Sequence, residues 1–477
     1  MSLRKLIRQL SVCAYLASCC VSQSVVNAQS NMEWFAGNPQ DVGTYIFLFG
    51  ESGNWKVGDI QSSERPGLGD SLSFGRVPTA PVIGADPSSI RVGVNSFAKS
   101  ITFENTIVIG EQYKFGGITN PAIQFGQNAS IVNNSVEQHT FNTAINFSGT
   151  GTATISNMST GSLVFNGPVE RSGSLGLTVD SQNGSIEFNN SVTAGPLTIT
   201  GTNSGFVSFS QVASQTVAVN GGNSTFSQAV ETETLSINGG IATFNSSLEV
   251  ANSLSVTGGQ ANFLGDVKAD NLVIGTVGGQ SSPTASAYFG PSSTVTVLGG
   301  VTVGDGGVIS GNANFSGPSV IGAGGTLIGG SDLNFNNGLE FADGSTFTWD
   351  LNSSNLVNVS NLEFGQDVAS VLDFTGTLSE DFWAGDWIKT VFNVGDSGAT
   401  SGIFSSITVV GIEIPASEHF QWIVDSSGDV QLSYSVTAVP EPSTMVLLGV
   451  AGAIGGVVAR RRAKKNSPAV EMPAVLA

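Results

Sequence analysis

Apolar positions in the middle of the chain recur on two scales. Over a few residues they alternate with small polar ones: Leu235 and Ile237, then Leu254 and Val256, stand two apart with a serine between. That alternation puts both side chains on one side of an extended strand. On the longer scale, Phe226, Phe244 and Phe263 lie 18 and 19 residues apart. Gly-Gly pairs at 221–222, 239–240, 258–259, 278–279 and 299–300 keep step with them. Phe103, Phe125, Phe147, Phe165, Phe188 and Phe209 carry the series upstream, and Phe289, Phe315 and Phe335 continue it downstream at looser spacing.

One unit therefore reads as two or three short strands joined by tight turns. The Gly-Gly pair turns the chain, and the next Phe points inward. Such a unit cannot bury its apolar side alone, but stacked neighbours can. The pattern predicts an all-β chain built on a right-handed parallel β-helix, with the phenylalanines in a ladder. About a dozen coils at a strand separation of ~4.8 Å would make a rod ~60 Å long. Asn166, Asn189, Asn245 and Asn336, each following a Phe, are expected to stack as amide ladders. A β-sandwich is the alternative. The nearly fixed unit length, and the lack of a regularly placed Asn-Gly hairpin turn, favour the solenoid.

The flanks differ from the repeats. Residues 29–100 hold Trp34, Trp55 and prolines 66, 78, 81 and 87, and lead into a first coil at Ser100–Gly110. Residues 101–350 form the predicted solenoid. Residues 351–438 carry Trp383, Trp387 and Trp422 with denser charge and clean strand patterns. Both flanks read as irregular β caps, which solenoids need to block edge-to-edge pairing.

Composition supports the β class: 61 Gly, 40% hydrophobic and only 11% charged residues suit neither a disordered chain nor a helical bundle. Charge is unevenly placed. Of 17 basic residues, three lie in the first 28 positions and five in the last eighteen, leaving nine between them against 35 acidic ones, a net of −26. So acidic a body repels nucleic acid and anionic lipid.

Catalytic and metal chemistry find little footing. Gly69-Asp70-Ser71-Leu72-Ser73 spells the nucleophile block of GDSL esterases, but their catalytic histidine follows an aspartate by three residues. Val136 and Ala416 stand at those places before His139 and His419, the two histidines present. Polysaccharide lyases need a basic residue beside a metal-binding acidic cluster, and hydrolases a close carboxylate pair. Lys268 is the one Lys or Arg between Ser172 and Asp350, and the acidic residues look scattered. The stretches at Gly304 and Gly329 resemble Ca²⁺-binding repeats in composition but lack their register. No catalytic residue, metal ligand or cofactor is assigned.

At the N-terminus, Arg4, Lys5 and Arg8 precede a mostly apolar run, and Val26-Asn27-Ala28 supplies the small residues read by signal peptidase. Cleavage between Ala28 and Gln29 is expected. A rival reading takes Leu16-Ala17-Ser18-Cys19 as a lipobox with Cys19 lipidated. All three cysteines lie within residues 13–20, so a chain cut after Ala28 has neither disulfides nor thiolate metal sites.

The C-terminus has three parts in order: Val439-Pro440-Glu441-Pro442-Ser443, an uncharged run from Met445 to Ala459, and Arg460, Arg461, Arg462, Lys464 and Lys465. As a helix the run would be about 22 Å long, short of the roughly 30 Å hydrocarbon core. Thr444 and Ser443 can extend it, Arg460 can snorkel, and the basic cluster would stay cytoplasmic. This arrangement resembles the PEP-CTERM sorting signal of Gram-negative bacteria. The resemblance implies recognition of Pro-Glu-Pro by exosortase, a membrane transpeptidase-like enzyme, with the short transmembrane helix as a holding anchor. The twelve residues after Lys465 depart from the family, whose members usually stop sooner.

The body is similar to the autotransporter-like β-strand repeat proteins that often carry this tail, through Gly53-Asn54-Trp55, Pro66 with Gly69-Asp70 and Phe74, and Phe103-Glu104-Asn105. The resemblance implies an exported cell-surface or extracellular-matrix protein, structural or adhesive, associated with exopolysaccharide or biofilm. A carbohydrate-binding surface protein and a polysaccharide-active β-helix enzyme are the alternatives.

Overall fold

The computed structural model describes residues 122–435 with short internal breaks, together with separate segments between Asn31 and Gly117. Every regular element described is a strand, and the long pairings are parallel. The chain winds as a β-solenoid of about eleven turns. Each coil runs through three walls in a fixed order. Around Phe165, for example, Ser162–Phe165 lies on the first wall, Val169–Arg171 on the second and Leu177–Ser181 on the third. Each pairs in register with its counterpart one coil on.

The first wall is a phenylalanine wall. Phe141, Phe165, Phe188, Phe209, Phe226, Phe244, Phe263 and Phe289 are buried and stacked in order, with neighbouring ring centroids 4.6–5.4 Å apart. Offset stacking contributes about 0.5–1.5 kcal/mol per pair beyond area burial, so the ladder rigidifies the wall as well as filling it. The third wall packs Ile155, Val179, Ile199, Val219, Ile237 and Val256 inward. Its outward column is of small side chains, among them Thr154, Thr178, Thr198, Ser236 and Ser255; it is the hydroxyl wall. The second wall turns Glu170, Glu231, Glu249 and Lys268 outward, and is the charged wall.

The expected single ladder of phenylalanines is divided among the walls. Phe74 and Phe103 stand on the hydroxyl wall. Phe125 and Phe147 pack at a tilt on the charged wall, ring centroids 4.9 Å apart, and Arg171 takes the place of the next ring. Downstream, Gly311 follows Phe289 on the phenylalanine wall. Phe315 meets Phe289 edge-on at 5.6 Å and stacks on Phe335 of the charged wall at 5.0 Å. All three walls repeat with one period, so spacing alone cannot say which wall a Phe belongs to.

Three of the five Gly-Gly pairs turn the chain as expected. Gly222, Gly240 and Gly259, the second of each pair, have φ of +71°, +73° and +71°. They sit one above another where the hydroxyl wall hands over to the phenylalanine wall. Gly299-Gly300 instead lies between the charged-wall and hydroxyl-wall parts of Val295–Val303, and Gly278-Gly279 falls outside the described residues. Amide ladders also form, though partly at other positions. Asn189 Nδ2 donates to Asn166 Oδ1 (2.8 Å), and Asn166 Nδ2 to Asn142 Oδ1 (2.6 Å). The longest ladder, Asn314–Asn334–Asn358–Asn393, lies on the outward side of the charged wall, with bonds of 2.5, 2.7 and 2.9 Å.

Parallel pairing is already present upstream of residue 101, with Asn31–Glu33 on Ser71–Ser73 and Ser71–Phe74 on Ser100–Phe103, and continues past 350 to Ser406–Val409. Antiparallel strands lie at both ends. Glu33–Trp34 pairs with Trp55–Lys56, and Val430–Tyr434 is held between Trp387–Phe392 and Phe420–Val424. At the C-terminal end, Phe347, Phe392, Phe404 and Trp422 close the core. The Trp422 indole donates to Ser370 Oγ at 2.8 Å. Among the described residues no helix is long and apolar enough to cross a membrane. The helix expected at Met445–Ala459 lies outside the described residues.

Candidate functional site

The solenoid separates the pieces of the apparent esterase motif. Ser71 and Ser73 alternate with buried Leu72 and Phe74 and so face away from the core. Ser73 Oγ donates to Glu104 Oε1 at 2.8 Å. His139 points the other way, fully buried, its ring stacked on Phe103 at 4.0 Å. A sheet lies between hydroxyl and imidazole, so neither can take the other's proton. Burial pushes the His139 pKa down to about 3. His419, at the opposite end, places Nδ1 2.7 Å from the carbonyl oxygen of Ser435.

Arg171 is a buried cation that no motif in the sequence marks. It is 2% exposed. Nη1 donates to the carbonyls of Phe147 (2.9 Å) and Gly149 (2.6 Å), and Nη2 to that of Gly151 (2.6 Å). The guanidinium thus ties down the turn of the preceding coil with a planar set of donors. Its Nε has no hydrogen-bond partner among the described residues. Arg171 is a fastening within the wall and faces no cleft.

Two grooves follow the corners of the rod. One, of about 350 Å³, runs along the charged wall past Glu231, Glu249, Asp266 and Lys268. There Lys268 Nζ and Glu249 Oε1 form an exposed ion pair at 2.8 Å. The other, of about 320 Å³, lies between the charged and hydroxyl walls, lined by Asn337, Asn361, Glu340 and Glu363. Glu340 and Glu363 are in register on neighbouring coils. Along the sequence the acidic residues look scattered; coiling brings these two, 23 apart in the chain, onto one column. The described residues contain no group of three or more His, Cys, Asp or Glu able to hold a metal ion.

The residues of the expected sorting signal lie outside the described residues: Val439, Pro440, Glu441, Pro442 and Ser443, the run from Met445 to Ala459, and Arg460, Arg461 and Arg462. The expected cleavage point between Ala28 and Gln29 does so too. Comparison with known families identifies the tail: residues 438–462 match the PEP-CTERM protein-sorting motif. The chain carries that motif, and its solenoid body fits the description of an autotransporter-like repeat. No curated protein and no solved structure matches the chain. The motif implies an exported protein, anchored in the membrane during sorting and processed by exosortase.

Proposed function

We propose that this chain is a non-enzymatic surface or matrix protein, an acidic β-solenoid that serves as a structural or adhesive rod among exported polysaccharide. The observation that carries the reading is the pairing of a PEP-CTERM motif with a body whose repeated aromatics point inward. A glycan-reading module presents a row of exposed rings for sugars to stack on; here the ladder is core. The walls instead offer amides and hydroxyls at the ~4.8 Å rung spacing, suited to many weak hydrogen bonds. Intact mass and terminal sequencing of native protein, from separated envelope and medium fractions, test the sorting half of the proposal. The expected chain starts at Gln29 and ends near Pro440-Glu441-Pro442. A product that keeps Arg460–Ala477 in every fraction would refute processing at this motif. Loss of the gene should weaken cell aggregation or matrix retention, and an unchanged matrix would refute the structural role.

A second reading, a polysaccharide-active enzyme, is favoured by Glu340 and Glu363 in their groove. Glycosidases set an acid and a base or nucleophile in unlike surroundings on either side of the scissile bond. Consecutive rungs of one flat column are poorly placed for that. Release of reducing sugar from the native matrix by the purified protein, abolished in Glu363→Gln, would establish this reading in place of the first.

A further inference from the structure

The outward column of the charged wall changes character along the rod. Glu231, Glu249, Lys268 and Thr296 stand in register on four successive coils. Further on, Asn314, Asn334, Asn358 and Asn393 stand in register on four more. Each of these amides sits between two buried apolar residues, as Asn334 does between Leu333 and Phe335, and so points outward. Every ladder bond runs the same way, from Nδ2 on one coil to Oδ1 on the coil before. A carboxamide has two N–H donors and two acceptor lone pairs. Asn334 and Asn358 each spend one donor and one lone pair on the ladder. One donor and one acceptor per rung are left over, repeating at ~4.8 Å in a fixed sense. Bonds aligned head to tail polarise one another and hold the amides in place.

We propose that this ladder is a binding track for an uncharged, extended polysaccharide of the β-1,4-linked kind, laid lengthwise along the rod with one sugar per rung. The proposal deepens, and rests on, the reading of the chain as a rod among exported polysaccharide. Three features argue for this occupant. Sugar hydroxyls both donate and accept, so a vicinal pair can bond the spare N–H and the spare lone pair of one amide. The rung spacing of ~4.8 Å is close to the advance per sugar of an extended β-1,4-linked chain, so sugars and amides stay in step over four units; a coiled α-linked chain does not. The ladder itself is uncharged in a body of net charge −26, which turns away polyuronates and leaves a neutral glycan unopposed. The amides are already ordered, so little side-chain entropy is lost on binding.

The groove of about 320 Å³ continues the track round the corner towards the hydroxyl wall. Asn337 and Asn361, three residues on from Asn334 and Asn358, line it together with Glu340 and Glu363. Its volume is that of a small-ligand pocket, and it is the place where side groups of the glycan are held. In this role Glu340 and Glu363 accept hydrogen bonds from sugar hydroxyls and move no proton.

The test is titration calorimetry of the full-length chain in mild detergent with cello-oligosaccharides of two to six sugars. Affinity should rise steeply up to four sugars, then level off, and should not change with added salt. Maltohexaose, coiled by its α-linkages, and an oligogalacturonate of the same length should each bind at least about tenfold more weakly. Asn314→Ala combined with Asn393→Ala removes the two outer rungs and leaves the bond between Asn358 and Asn334. Affinity for cellohexaose should then fall at least about tenfold and the plateau should move to two sugars, with the far-UV spectrum unchanged. A ladder that only fastens coils together would lower the thermal midpoint and leave the plateau at four. Thr178→Ala with Thr198→Ala, on the hydroxyl wall, should bind as the wild type does. No saturable binding of any cello-oligosaccharide, equal affinity for the α-linked chain, or a plateau indifferent to the outer asparagines would overturn the proposal. So would a dimer in sedimentation that the two asparagine substitutions abolish, because a second copy would then cover the ladder. The wider reading fails separately: a matrix weakened by gene loss, with no glycan bound by the purified chain, would sink this inference alone, and glycan binding with an unchanged matrix would sink the structural role alone.

Discussion

Gly240→Val is expected to destabilise the folded chain by about 3–5 kcal/mol, well above the cost of an ordinary surface substitution. Two costs combine. Gly240 has φ +73°, a region that costs an L-residue about 1–2 kcal/mol and a β-branched one more. A β-carbon there would also run into the carbonyl oxygen of Gly222, with Gly221 and Gly222 backbone atoms close behind. Backbone of the neighbouring coil cannot rotate aside, so the overlap has to be relieved by opening the stack. Gly173 separates the two costs, because it shares the positive φ (+71°) but a β-carbon added there would meet nothing within 4 Å. Gly173→Val, the same substitution, should therefore cost only about 2 kcal/mol. Urea or thermal unfolding of the three proteins measures this. Equal losses at 173 and 240 would mean that the corner glycines are needed for conformation alone and that the coils are not in tight register.

Stability should also fall as the pH drops from 6.5 towards 3, through His139. The folded pKa is about 3 because burial disfavours the imidazolium, against 6.5 in the unfolded chain. Between these values the unfolded chain binds a proton that the folded chain refuses. The contribution is thus complete above pH 6.5 and declines below it by about 1.4 kcal/mol per pH unit, to a total on the order of 4–5 kcal/mol near pH 3. Asp425 acts lower in the range. Hydrogen bonds from Ser427 hold its pKa below the usual carboxylate value, so its share is lost only as carboxylates protonate. The window from pH 6.5 to about 5 belongs to His139. Leu163 occupies the corresponding inward position one coil on, so His139→Leu should pack there and flatten the profile in that window. Denaturant midpoints at pH 7.0, 6.0 and 5.0 check it. A slope unchanged by the substitution would show that another group carries the acid sensitivity.

The solenoid was legible because burial imposes period two within a strand and the coil imposes its own longer period, and both are visible as residue types. Leu235, Ile237, Leu254 and Val256 face inward as the alternation requires. The Gly-Gly corners were legible because positive φ selects glycine. The walls were not, since three strands per coil share one repeat and a Phe suits any of them. The amide ladders show the same limit. Asn336 follows a Phe, as Asn166 does, yet the ladder on its coil runs through Asn334, which faces outward between Leu333 and Phe335. Pairings across coils of unequal length escape a linear reading too. Glu340 and Glu363 became neighbours only when the rungs were aligned. The tail was read by the order of its three parts, which needs no folded context.

The antiparallel end of the rod has a mechanical consequence. Hydrogen bonds between coils lie along the rod, so a pull between its two ends loads successive rungs in series, and the weakest rung sets the strength of the whole. A pull applied through the residues beyond Ser435 reaches another structure first. It meets Val430–Tyr434, bonded on one side to Trp387–Phe392 and on the other to Phe420–Val424, with Tyr434 against the Trp387 ring at 5.5 Å. Force arriving from that side must tear a strand held along both edges before any coil can unwind. The hairpin that closes the core would then work as a strain relief, like the collar where a cable enters its plug.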